Sequence, residues 1–108
     1  MTTIDSDDAK YGLTANSFTS VSLQPPLVLV CLDHPSRSLV ALRESGVFAV
    51  NIVSESQREV SMKFASSASD KFDDVETITA TTGAAILPDS VAWLDCRLNA
   101  IVSAGDHD

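Results

Sequence analysis

The stretch "LTANSFTSVSLQPPLVLVCL", Leu13 to Leu32, decides how this chain is read. Its first half is Thr14, Asn16, Ser17, Thr19, Ser20 and Ser22. Its second half is an almost unbroken apolar run. Pro25–Pro26 lies between them and removes two backbone donors, so it belongs at a strand start or on a sheet edge. The run Leu27 to Leu32 fits a buried strand. Hydroxyls and one carboxamide directly before such a strand suit either an exposed edge strand or the rim of a polar ligand site. Asn16 can donate and accept at once, as an imide or pyrimidine edge requires.

Outward from there the chain divides into short pieces. Met1 to Lys10 is polar and acidic and reads as a frayed strand end followed by a turn. Tyr11 to Leu23 reads as two short strands broken near Ala15–Asn16. Ser36 is a candidate N-cap and Gly46 a stop, which predicts a helix of about two turns between them. Leu39, Leu42 and Val40 are the candidates for its apolar side. Val47 to Val53 is β-branched and apolar, hence a strand. Ser54 with Gln57 matches a capping box, and Val60, Met62 and Phe64 follow near helical spacing, so a second short helix is expected. Ala65 to Pro88 reads as a long irregular segment of the functional or mobile kind. Val91 to Ser103 alternates, with Ala92, Leu94, Cys96 and Leu98 on the side expected to be buried. There is no internal repeat. Strands dominate, which favours a small β-barrel or sandwich over a doubly wound sheet.

The 108 residues suffice for one domain. Net charge is −8, with 7 basic against 15 acidic residues. That balance argues against nucleic acid or an anionic membrane as the main partner, while leaving room for a small anionic ligand met by locally placed cations. No apolar run is long enough to span a bilayer. No signal peptide is visible, so a cytoplasmic location is expected, with Cys31 and Cys96 as buried free thiols. Two histidines, His34 and His107, and two thiols do not make a zinc spacing, so no metal is expected. No nucleotide-binding glycine motif and no catalytic triad signature is present. "PSRS" would set Ser36, Arg37 and Ser38 at a helix start, where free N–H groups and a guanidinium attract a phosphate. An ordinary capped surface helix is the plainer account. Lys63 beside Phe64 reads equally as a surface lysine over a core anchor.

Taken in order, "GLTANSFTSVSLQPPLVLVCL", "SRSLVALRESGVFAVNI", "KFASSASDKF", "AWLDCRL" and "GDH" resemble the flavin reductase-like family, the FMN-binding split barrels. The resemblance covers nearly the whole chain, 1–108. It implies a mainly β fold with short helices, a Greek-key-like split β-barrel. Members have further strands after "GDH" and a helix and full first strand before Thr2–Thr3, so the barrel is expected to be incomplete here. By position, the resemblance places the flavin against Gly12, Leu13, Thr14, Asn16 and Ser17. It adds Cys31, Leu32 and Asp33 at the strand end, and Arg37, Ser38, Lys63 and Phe64 on the phosphate side. His107 would face the nicotinamide. The implied activity is hydride transfer from NADH or NADPH to FMN or FAD, supplying reduced flavin to an oxygenase component. No catalytic acid or base is called for. A flavin-binding protein without turnover, or an inactive remnant, would share the same residues. A homodimer is expected from the family's habit and from open sheet edges.

Overall fold

The computed structural model describes residues 1–108. Six strands and two helices follow one another: β1 (Thr2–Ile4), β2 (Lys10–Gly12), β3 (Thr19–Leu23), β4 (Pro26–Leu29), α1 (Arg37–Ser45), β5 (Val47–Ile52), α2 (Arg58–Ala65) and β6 (Ala92–Arg97). A 3-10 turn, Glu55–Gln57, leads into α2. The strands form two sheets, a four-stranded one in the order β2-β1-β5-β6 and a separate β3-β4 ribbon. All pairings are antiparallel and neither sheet closes on itself. The expected mainly β fold with short helices, open at its edges, is what forms.

Local chemistry accounts for the best-defined elements. Gly46 ends α1 with φ 70°, a left-handed conformation that glycine adopts without steric cost, and its N–H closes onto Leu42 O at 2.8 Å. Ser36 stands at the N-cap as expected, although its hydroxyl makes no cap bond. Leu39, Ala41 and Leu42 are buried, whereas Val40 is 58% exposed. The apolar side of α1 thus runs through Ala41 and Ser38 instead of Val40. In the capping box, Ser54 N–H donates to Gln57 Oε1 at 2.8 Å. Phe64 is the buried residue of α2, while Met62 points to solvent.

Five expectations need correction. Met1 to Ile4 is buried, not frayed, because β1 lies between β2 and β5. The burial of Thr2 and Thr3 is compatible with their hydroxyls because each finds a carbonyl, Ala85 O for Thr2 and Val47 O at 2.7 Å for Thr3. The run Leu27 to Leu32 is not buried throughout. One face alone meets the core: Val28, Val30 and Leu32 pack inward, while Leu29 and Cys31 are exposed. Cys31 is therefore a free but exposed thiol, and Cys96 a free, half-buried one. The irregular segment contains Ala84 to Leu87, among the most deeply buried residues of the chain. Ala84 and Ile86 pack with Ile4, Val47 and Ala49. Finally, β6 is an edge strand with its expected inner face only half covered: Cys96 and Leu98 are half-buried, but Ala92 and Leu94 are exposed. No helix is long and apolar enough to cross a membrane.

Candidate functional site

The residues singled out from the sequence gather into two neighbouring groups. The first joins the end of β2 to the end of α2. Gly12 is buried there, and a Cβ on it would stand 2.8 Å from Phe64 Cε2, 2.9 Å from Phe64 Cδ2 and 3.2 Å from Phe72 Cζ. Only glycine permits that approach. Phe64 and Phe72 meet edge-on with centroids 4.9 Å apart. The Thr14 hydroxyl donates to Ser61 O in α2. Leu13, Thr14 and Phe64 also line an apolar cavity of about 290 Å³, together with Phe18, Val30 and Val60.

Basic side chains surround this group. The Arg37 guanidinium donates to the carbonyls of Ser67 and Ala68, both at 3.3 Å. Lys63 Nζ donates to Asp73 O at 2.9 Å. Lys71 Nζ donates to Gly12 O at 2.9 Å and to Phe64 O at 3.0 Å. None of the three forms an ion pair; the ion pairs of the chain involve His34, Arg43 and His107 instead. Burial first, then the nearby charge of Arg37, lowers the Lys71 pKa. In a chain of net charge −8, these three side chains are held by main-chain carbonyls and not by carboxylates. Lys71 is the functional candidate that the sequence reading missed. The signal was present in "KFASSASDKF", where a second lysine precedes a second phenylalanine.

The second group surrounds the strand end. The Ser17 hydroxyl donates to Cys31 O and accepts from Cys31 N–H, both at 3.1 Å, fixing the polar loop to the chain beyond β4. Asp33 forms a β-bridge with His107. Leu32 is buried, as is Ser38 on α1, whereas Asn16 and Asp33 are exposed. His107 is exposed and its Nδ1 meets Asp106 Oδ1 at 2.7 Å, which holds the Asp106 carboxyl below its usual range.

Buried Gly12 packs against aromatic rings, an apolar cavity lies beside Phe64, the Asn16 carboxamide is on an exposed residue, and Arg37, Lys63 and Lys71 donate to main-chain carbonyls. The whole chain, residues 1–108, matches the flavin reductase like domain, and the protein belongs to that family. It is 44% identical to a probable flavin reductase of Rhizobium meliloti over 107 residues, which is 99% of this chain and 34% of that protein. Its fold superposes with a TM-score of 0.92 on nitrilotriacetate monooxygenase component B from Mycobacterium thermoresistibile, at 39% identity, covering 98% of this chain and 59% of that one. It is also similar to the NADH:FAD oxidoreductase SgcE6 of Streptomyces globisporus in complex with NAD and FAD fragments, with a TM-score of 0.88 and 36% identity over 98% of this chain and 64% of the other. The chain spans 34%, 46% and 54% of the length of three curated relatives it matches.

Proposed function

We propose that this chain carries the flavin-binding half of an NAD(P)H-dependent flavin reductase that delivers reduced flavin to an oxygenase component. The observation that carries the reading is the cradle around the apolar cavity lined by Leu13, Thr14 and Phe64, with Arg37, Lys63 and Lys71 nearby and without carboxylate partners. It is supported by membership of the flavin reductase like family and by relatives named as monooxygenase reductase subunits. FMN and FAD both present the ring and phosphate that such a cradle takes. NADH is favoured over NADPH as co-substrate by the name of a 41% identical relative, flavin reductase (NADH) of Kitasatospora aureofaciens.

When bound, the flavin supplies a ring that accepts a hydride from the nicotinamide. The chain's own residues bind and orient. Arg37, Lys63 and Lys71 offset phosphate charge. Thr14 and Ser17 fix the loop that presents Asn16, whose carboxamide is suited to the ring's pyrimidine edge. Cys31, Leu32 and Asp33 bound the site at the strand end. Ser38, buried one residue after Arg37, anchors the start of α1. His107 addresses the nicotinamide. Hydride transfer between two cofactors needs no side-chain acid or base, so no residue is assigned that role. The protein works in the cytoplasm as a homodimer, a state that would also cover the open edge of β6.

The test is a titration of FMN into the purified protein, followed by quenching of flavin fluorescence, with NADH added at saturation. Saturable quenching followed by bleaching of the flavin is the expected result. Quenching without bleaching would replace the reductase by a flavin carrier. A folded protein that leaves the fluorescence unchanged would overturn the flavin assignment altogether.

A further inference from the structure

Residues 106–108 lie along 32–34 as an extra rung. Leu32 N–H donates to Asp108 O at 2.8 Å, Asp108 N–H donates to Leu32 O at 2.9 Å, and His34 N–H donates to Asp106 O at 3.0 Å. A tight turn precedes the rung: Gly105 has φ 71°, and Ala104 N–H donates to His107 O at 2.8 Å. Adjacent residues of an extended segment point to opposite faces. His107 thus faces outward with its side chain 46% exposed, while the neighbouring Asp108 side chain turns in and is 4% exposed.

That inward carboxylate has two partners, a histidine and an arginine, from two other elements. Asp108 Oδ1 meets His34 Nε2 at 2.9 Å, in the turn after β4. Asp108 Oδ2 accepts from the Arg43 guanidinium, in the last turn of α1. Hydrogen bonding from His34, followed by that from Arg43, holds the carboxyl below its usual range. One side chain therefore ties the 106–108 rung, the 32–34 segment and α1 together, beside an open groove of about 500 Å³ lined by Leu39, Val40 and Ile101. None of these three side chains belongs to the flavin cradle.

We infer that Asp108 is a positioning residue: through Arg43 and His34 it fixes the backbone of His107 against Asp33, and so sets where His107 meets the nicotinamide. The inference rests on the proposed role of His107. Removing the charge at 108 loosens the rung and leaves the cradle around Gly12 intact, so it weakens nicotinamide binding selectively.

The test uses Asp108→Asn, which keeps shape and loses charge, beside Arg43→Met and Arg43→Lys. Steady-state NADH oxidation at saturating flavin gives KM and kcat, fluorescence quenching gives the flavin Kd, and amide hydrogen exchange reads Leu32 and Asp108. Losing one charge-assisted hydrogen bond at the rung raises the NADH KM about tenfold. Expected are that rise in Asp108→Asn and Arg43→Met, kcat and flavin Kd within about twofold of wild type, faster exchange at the two amides, and recovery in Arg43→Lys. An unchanged KM with unchanged exchange overturns the inference, and so does equal loss of flavin binding, which would mark a general structural role. Should Asp108→Asn not fold, the Arg43 pair decides by the same readouts. A wild-type protein that binds flavin but does not oxidise NADH would instead sink the reductase reading, and the exchange rates at Leu32 and Asp108 would then decide on the rung.

Discussion

Gly12→Ala is the sharpest perturbation of the cradle. The added methyl would lie 2.8 and 2.9 Å from two atoms of the Phe64 ring and 3.2 Å from Phe72, well inside van der Waals contact. The backbone has little room to yield. Gly12 pairs with Thr2 across β1, its carbonyl holds Lys71, and Leu13 N–H donates to Met1 O at 3.0 Å. The ring must therefore move, and Phe64 is buried with its edge against Phe72. Overpacking of this kind costs about 1–3 kcal/mol. For a domain of this size the melting temperature should fall by about 5–15 °C. Displacing Phe64 would also reshape the cavity it lines, the proposed flavin site, and a loss of ~1.4 kcal/mol there would weaken binding about tenfold. Thermal denaturation and flavin quenching measure the two effects. Adding Phe64→Leu removes the crowding ring atoms, so the double variant should lose less than the sum of the two singles. A Gly12→Ala protein with melting temperature within about 2 °C and flavin affinity within about twofold of wild type would refute the close approach.

Arg37→Met should raise the Kd for FMN about tenfold while leaving riboflavin, which lacks the phosphate, nearly unaffected; salt should weaken FMN binding in the wild type more than in the variant. Lys71→Met leaves the Gly12 and Phe64 carbonyls without their shared donor and should destabilise by about 1–2 kcal/mol, read as a lower urea midpoint. Asp95 accepts from Thr81 N–H at 2.8 Å, Thr82 N–H at 2.9 Å and the Thr82 hydroxyl, and despite a desolvation penalty that raises its pKa, these bonds hold it below its ordinary value. A depressed folded-state pKa gives stability that is complete above the unfolded carboxylate range and is lost as pH falls through the folded value. Asp95→Asn should thus destabilise at pH 7 by about 1–2 kcal/mol and flatten the acid side of the stability profile.

What could be seen in the sequence follows the range of the interactions involved. α1 and β5 were legible because their signals are local: Ser36, Gly46 and the β-branched run "VFAVNI" act within a few residues. The capping box at Ser54 was legible for the same reason. Burial was not legible where it depends on a distant partner. Thr2 and Thr3 look like a polar terminus until Ala85 and Val47 supply acceptors for their hydroxyls. Ala84 to Leu87 looks like loop until Asn51 Oδ1 accepts from Leu87 N–H at 2.9 Å and the sheet closes over it. Continuous apolarity could not show that β4 has only one covered face.

The site divides in the same way. The residue types proposed for it come from a motif that preserves the order of hydroxyls, carboxamide and cations. Its architecture was not readable, because each piece is held by a side chain reaching main chain far away: Lys71 to Gly12, Arg37 to Ser67, Ser17 to Cys31, Thr14 to Ser61. Such bonds have no period along the chain and follow no propensity scale. They also show how the proposed anion site would be compatible with so acidic a protein. Carbonyls satisfy the hydrogen bonds of Arg37, Lys63 and Lys71 without neutralising their charge, so the side chains are held in place and the field is left for the ligand. Carboxylates at the same positions would fix the side chains equally well and cancel that field. On the proposed reading, the pairing of cation with carbonyl in place of carboxylate is what would turn a set of structural staples into a binding site.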